Sequence, residues 1–254
     1  MAVFDTPENE RAPMTEKAIA CMCDTALRLP MRHRMVVVDN GSTDIRAKQI
    51  LRDYGKHFTL LQNTENRGTA KAINKGLQLR NHDEIACKVD DDIFIHQADW
   101  AEQIEEVMWR DITIGICALK RKDLAEYPDA TQEFYRSTLH MLPHNPGQRW
   151  IVVENVRHTM GTCQAYSPGL LARVGFLWQP GVYGFDDSDI SARAALVGLK
   201  RVFLPHIEID HLDPGGNAYT DWKRVHAGEH IQTYQETVDA YKSKKMPLYR
   251  ECIT

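Results

Sequence analysis

Residues 84–92 read Glu-Ile-Ala-Cys-Lys-Val-Asp-Asp-Asp, a mainly apolar, strand-length run that ends in three successive carboxylates. In an open α/β sheet, ligands bind beyond the carboxyl ends of the strands, which places Asp90, Asp91 and Asp92 at the mouth of a site. If the segment stays extended, Asp90 and Asp92 point one way and Asp91 the other. Two convergent carboxylates make a hard oxygen site for Mg²⁺ or Mn²⁺, able to neutralise a diphosphate. The plain alternative is a solvated acidic turn, or an N-cap for the segment after Ile95.

Working outward from this run, short β-type stretches alternate with amphipathic ones, the pattern of βα units feeding a mainly parallel, Rossmann-like central sheet flanked by helices. Towards the N-terminus the sequence predicts a strand remnant at Val3-Phe4, a helix from Ile19 to Leu29 and a strand from Met35 to Val38. A helix from Ile45 to Tyr54, a strand around Phe58 to Leu61, and a helix with Ala70, Ile73 and Leu77 on one face follow. Towards the C-terminus come a helix from Gln97 to Trp109 and a strand from Ile112 to Leu119. Pro128, Pro143 and Pro146 then break up the stretch from Lys120 to Trp150, which reads as loop-rich with one short helix. Beyond it lie strands over Arg149–Val156 and Gly161–Ser167, a short helix after Pro168 and a helix starting near Asp187. Two further strands, Arg201–Pro205 and Ile207–Asp210, precede a closing helix from His226 to Lys242.

The 254 residues are 43% apolar and 26% charged, enough to bury a full core, and no low-complexity or Gly/Pro-rich stretch divides them. One domain over residues 1–254 is the expectation. Acids and bases are interspersed at a net charge of −4, which excludes a whole-molecule basic field for nucleic acid. The polar, acidic start does not read as a targeting segment, and no apolar run reaches the ~18 residues of a spanning helix. The expected location is the cytoplasm or the periphery of a membrane. All six cysteines are expected to be reduced, with Cys87, Cys117 and Cys163 as small core residues and Cys21 and Cys23 spaced wrongly for zinc.

Four more stretches carry candidate chemistry. Val36–Asp44 ends a buried strand in Asp39-Asn40-Gly41-Ser42-Thr43-Asp44, where a nucleoside could hydrogen-bond to Asp39; an ordinary turn capped by Ser42 or Asp44 competes. Asn66, Arg67 and Gly68 precede a helix with Lys71 in its first turn, an arrangement suited to a phosphate or a base, or simply to a helix start. Asp186, Asp187 and Asp189 cluster at another helix start; capping explains one of them, and another could serve as a general base. His211 ends an apolar strand before a Gly-rich loop, where it could complete the metal site, although a lone His after a strand is more often structural. His226 and His230, four apart, suit a solvated helix face better than a zinc site.

Taken in order from Met35 to His211, these stretches resemble the family 2 glycosyltransferases of GT-A fold. The resemblance rests on VVVDNGSTD, NTENRGTAKAINKGL, VDDD, GTCQAYSPGLLARVGFL, GFDDSDISARAALVGLK and IEIDH. It implies a nucleotide-sugar-binding half over about residues 1–119, an acceptor-binding and catalytic half over about 120–225, and a C-terminal helix and tail from 226 to 254. Asp39, Asn40, Arg67, Lys71, Asp90 and Asp91 would then bind a nucleoside-diphosphate sugar. Asp92, Asp90 and His211 would hold a divalent cation, Mn²⁺ or Mg²⁺. Asp187, supported by Asp186, would be the base that activates an acceptor hydroxyl, and Arg193 fits the arginine that follows the acidic motif. The implied activity is inverting, metal-dependent glycosyl transfer to a saccharide, lipid-linked saccharide, protein or modified nucleic acid. A nucleotidyltransferase of related fold and a non-catalytic nucleotide-sugar-binding protein are the alternatives. The opening VFDTPENERAP departs from the family pattern, and Asp186 stands where a Glu is common.

Overall fold

The computed structural model describes residues 1–28, 33–123, 137–216 and 218–253. Its first sheet is parallel throughout: β1 (Ala2–Val3), β2 (Val36–Asn40) and β3 (Thr59–Asn63), with Ala2 opposite Val38 and Val36 opposite Thr59. Helix α1 (Ala12–Asp24) starts seven residues before the expected Ile19. Pro13 fits the first turn, where no amide donor is needed, and buried Ala12, Thr15, Ala18, Ile19 and Met22 recur at helical spacing. Helix α2 (Ile45–Asp53) is capped by Asp44, whose side chain accepts from the Ala47 amide at 2.9 Å. Helix α3 (Thr69–Leu77) returns the chain to the second sheet.

That second sheet contains β4 (Ala86–Val89), β5 (Ile93–Ile95), β6 (Ile114–Arg121), β7 (Thr138–Met141), β8 (Val152–Asn155), β9 (Cys163–Tyr166) and β10 (Lys200–His211). The order is β4-β9-β6-β10-β8-β7, with β5 paired to the far end of β10. β6 and β10 run parallel, whereas β9, β8, β7 and β5 pair antiparallel with their neighbours. β10 joins the two strands expected at Arg201–Pro205 and Ile207–Asp210 across a register shift between Phe203 and Glu208, around Pro205. In the stretch Lys120–Trp150, expected to be loop-rich with one short helix, β7 supplies a strand that pairs with β8 just beyond it, and residues 124–136 lie outside the described residues.

Helix α4 (Trp100–Arg110) covers one face of this sheet together with α1 and α2. Ile19, Leu51, Ile104, Val107, Ile114, Val202 and Ile209 form that core. On the other face, α5 (Pro168–Val174) and α6 (Asp186–Leu196) bury Leu170, Val174, Ile190 and Ala194 against Ile116 and Tyr166. Each fully buried aliphatic side chain contributes about 1.5–3 kcal/mol, so the two clusters fix the helix–sheet–helix layering. The closing helix α7 (Ala218–Lys242) begins eight residues before the expected His226. Among the described residues, no helix is long and apolar enough to cross a membrane.

Candidate active site

The pairing of β5 with β10 determines where the acidic run ends up. Ile93 lies opposite His211, and the Leu212 amide donates to the Asp92 carbonyl at 2.7 Å. His211 Nε2 therefore sits 3.4 Å from Asp92 Oδ2, although 119 residues separate the two in sequence (211 − 92). Residues 91 and 92 form a turn rather than extended strand, so the expected alternation of side chains does not hold. Asp91 and Asp92 instead face the same guanidinium, and Asp90 faces a different cation.

That guanidinium belongs to Arg11, the residue before α1, whose side chain is buried. Arg11 Nη2 donates to Asp91 Oδ1 at 3.0 Å and to Asp92 Oδ2 at 2.7 Å, while Nη1 donates to Asp213 Oδ2 at 3.2 Å. Its backbone amide is fixed by Asp5 Oδ1 at 3.0 Å. Burial opposes the Arg11 charge, but the neighbouring Asp91 and Asp92 outweigh it and raise the pKa. Burial likewise opposes the charge on Asp92, and the hydrogen bond to His211 together with Arg11 holds its carboxyl far below the usual range. Asp92 Oδ1 is buried with no hydrogen-bond partner.

Lys88, inward-facing on β4, supplies the second cation. Its Nζ lies 2.9 Å from Asp186 Oδ2 and 3.4 Å from Asp90 Oδ1, and its side chain is only 4% exposed. Burial pushes the Asp90 carboxyl up to about 7, with Lys88 acting in the opposite direction. The register of β4 against β9 sets Val89 opposite Cys163, and the Asp90 amide donates to the Thr162 carbonyl at 2.9 Å. This lays the loop at Gly161 against α6, where the Gly161 amide donates to Asp187 Oδ2 at 2.9 Å. A Cβ on Gly161 would sit 2.7 Å from Lys88 Nζ and 3.2 Å from Asp187 Cβ, so a larger residue there would push on the Lys88 ammonium and on Asp187.

The three carboxylates of α6 are held separately, and no side chain caps this helix, contrary to the expectation that capping uses one of them. Asp186 pairs with Lys88. Asp189 takes Arg193 Nε at 2.7 Å and the Tyr241 hydroxyl at 3.0 Å, while Arg193 also donates to the carbonyls of Val174 and Phe176, so this pair ties α6 to α5 and α7. Asp187 has no Lys or Arg within ion-pair distance among the described residues; His158 Nε2 lies 3.8 Å away.

Asp90, Asp91, Asp92, Asp186, Asp187, His211 and Asn40 all line one cavity of about 430 Å³. Asp39, Arg67 and Lys71 are not part of its wall. Asp39 is buried and accepts the Ser42 amide at 2.9 Å, an ordinary turn contact. Asn40 bonds Asn66 at 2.9 Å and accepts from Asn63 at 2.9 Å and from the Arg67 amide at 3.2 Å, cross-linking the turns. Arg11 and Lys88 were not foreseen as site residues. A charged residue inside the apolar run of β4 is a signal that could have found Lys88, whereas nothing local distinguishes Arg11. An aromatic wall of Tyr183, Tyr219 and Trp222 faces the carboxylates, with Lys223 Nζ 4.3 Å from the Tyr219 ring centroid. All six cysteines are free, but Cys87 is exposed rather than in the core.

Among the described residues, the cavity wall counts seven Asp (90, 91, 92, 123, 186, 187 and 213) against four Lys or Arg (11, 88, 121 and 223). Among the described residues no three His, Cys, Asp or Glu side chains converge on a cation position. What they offer is a partial donor set: the unpartnered Asp92 Oδ1, and His211 beside Oδ2. Such a set fits Mg²⁺ or Mn²⁺, which commonly take one or two protein carboxylates and complete their shell with water and substrate phosphates.

Comparison with known proteins bears on the family and the fold. The signature of Glycosyl transferase family 2 matches residues 9–175. The mannosyltransferase PcManGT from Pyrobaculum calidifontis, solved with GDP-Man and Mn²⁺, superposes with a TM-score of 0.63 at 22% identity, over 87% of this chain and 59% of its own. GalNAc-T7, solved with UDP, GalNAc and Mn²⁺, gives a TM-score of 0.59 at 14% identity, over 83% of this chain and 42% of its own. The chain thus spans less than two thirds of either structure. No curated protein matches it in sequence. With the family signature covering most of the chain and the fold shared with both structures, the chain belongs to glycosyl transferase family 2 and has the GT-A fold.

Proposed function

We propose that this glycosyltransferase moves a sugar from a nucleoside-diphosphate donor to an acceptor hydroxyl in a divalent-cation-dependent, inverting reaction, with Asp187 as the base. The observation that carries this reading is the division of labour among the cavity carboxylates. Asp90, Asp91, Asp92, Asp123, Asp186 and Asp213 each face a Lys or Arg, whereas Asp187 is held by the amides of Gly161 and Ser188. A carboxylate positioned by backbone amides keeps lone pairs for a hydroxyl proton, which is what a general base requires.

Asp92 and His211 would hold the cation, and the surplus of acids over bases in the wall supports the need for one, since a diphosphate would otherwise meet net negative charge. When bound, the cation supplies charge neutralisation of the leaving diphosphate. Asp187 takes the acceptor proton, the acceptor oxygen attacks the anomeric carbon, and direct displacement inverts that centre. The relatives solved with GDP-Man and with UDP and GalNAc support a GDP- or UDP-linked sugar as donor. Tyr183, Tyr219 and Trp222 offer flat apolar faces for a sugar ring.

Incubating the protein with a panel of GDP- and UDP-sugars, with Mn²⁺ or with EDTA, tests the reading. Release of free nucleoside diphosphate that requires Mn²⁺ is the expected result. Release of pyrophosphate would point to nucleotidyl transfer instead.

A further inference from the structure

We propose that Arg11 is the internal counter-ion of the acidic site, so that a divalent cation binds the free enzyme weakly and binds tightly only together with the donor diphosphate. This rests on the metal-dependent reading above. The atom in dispute is Asp92 Oδ2: it takes Arg11 Nη2 at 2.7 Å and lies 3.4 Å from His211 Nε2. A cation held between Asp92 and His211 through that oxygen competes with the guanidinium for it, whether or not the free Oδ1 also joins the shell. The fork also holds Asp91 at 3.0 Å and Asp213 at 3.2 Å, and the Arg11 carbon lies 4.8 Å from the Tyr219 ring centroid. One side chain thus joins the acidic turn, the loop after β10 and the start of α7.

Charge decides the coupling. Asp91, Asp92 and Asp213 face Arg11 and Lys223, which offset all but one of the corner's negative charges. A dication arriving alone has to share a buried corner with the Arg11 guanidinium, and the two repel. Arriving with a diphosphate, it brings negative oxygens that Arg11 can pair with through its two-pronged donor geometry. The Arg11 backbone is tied to Asp5 and to the start of α1, so only the side chain has to move.

Titration calorimetry of Mn²⁺ into the full chain, with and without GDP or UDP, reads this directly. In the wild type, nucleoside diphosphate is expected to tighten Mn²⁺ binding roughly 10- to 100-fold, with the reciprocal effect of Mn²⁺ on the nucleotide. Without nucleotide, Arg11→Gln is expected to bind Mn²⁺ about 10-fold more tightly than the wild type, and to show a correspondingly smaller coupling. Equal or weaker Mn²⁺ binding by folded Arg11→Gln overturns the proposal. Arg11→Lys keeps the charge and loses the fork; its Mn²⁺ affinity should fall between the two, and an affinity at or below that of the wild type counts against the proposal if Arg11→Gln does not fold. Failure of the wild type to bind Mn²⁺ even with GDP and UDP present removes the metal-dependent reading itself, whatever the variants do.

Discussion

The turn after β2 and the turn after β4 are both clusters of short polar residues at the end of a strand, yet the chain uses them in opposite ways. After β2, Asp39 accepts the Ser42 amide, Asp44 caps α2, and Asn40 links Asn63, Asn66 and Arg67. That cluster is satisfied by its own neighbours. After β4, Asp91 and Asp92 find no such local donors and are matched by Arg11, at least 80 residues away, while Asp90 shares Lys88 with the distant Asp186. A cluster that closes on itself is a turn; one that needs distant cations and still leaves Asp92 Oδ1 without a partner is a place for a ligand.

The largest effects should fall on the β4 side. Asp187→Asn is expected to lower transfer by about 10²–10⁴-fold while donor affinity stays within about threefold, measured as separate turnover and binding constants. Normal turnover would remove Asp187 from the base role. Lys88→Ala leaves buried Asp186 and half-buried Asp90 without their cation and should cost about 3–5 kcal/mol of stability in a denaturant melt. A loss below ~1 kcal/mol would mean that these carboxylates are already neutral or solvated.

The β2 side should answer mainly with stability, although Asn40 reaches the cavity wall. Asn40→Ala is expected to cost about 1–3 kcal/mol with Mn²⁺ affinity unchanged. A variant that keeps its stability and loses donor binding would break the comparison and make this turn a binding site. Asp5, buried beneath the same turn, accepts from the Arg11 amide, and its amide donates to Ser42 Oγ at 3.0 Å. Burial pushes its carboxyl up to about 6, above its unfolded value, so the folded state holds the proton over that interval. Its contribution to stability is therefore present below pH ~4 and is lost as pH rises through about 6. Relative to Asp5→Asn, the wild type should lose about 1–2 kcal/mol between pH 4 and 7 in parallel thermal melts. The smallest effect is expected for Arg67→Ala and Lys71→Ala, which should change donor affinity less than about threefold, since neither residue lines the cavity.

Strand-end position carried much of the site into view from sequence. Apolar runs that stop at Asp90, His211 and Asn40 are visible without coordinates because the open ends of α/β strands face ligands. What stayed hidden was pairing. The three residues of β5 are too few to show a period, and their antiparallel register with β10 is what sets Asp92 beside His211. The partners of Lys88 and Arg11 were equally invisible, because a salt bridge spanning 98 or 202 residues leaves no trace in local spacing. Helix starts shifted for a related reason: Pro13 and Thr15 read as loop, but Thr15 is buried at the start of α1 and its hydroxyl meets Asp91 at 3.4 Å. The β2 turn was legible as a strand-to-helix turn, and the same spacing that revealed it also suggested nucleotide contacts for Asp39.

Anomalous scattering from crystals grown with Mn²⁺ and a nucleoside diphosphate tests the central claim most directly. The account predicts one manganese peak within bonding distance of both Asp92 and His211, about 2.0–2.3 Å from each. A peak elsewhere in the cavity, or a bound diphosphate with no metal beside Asp92, would contradict it.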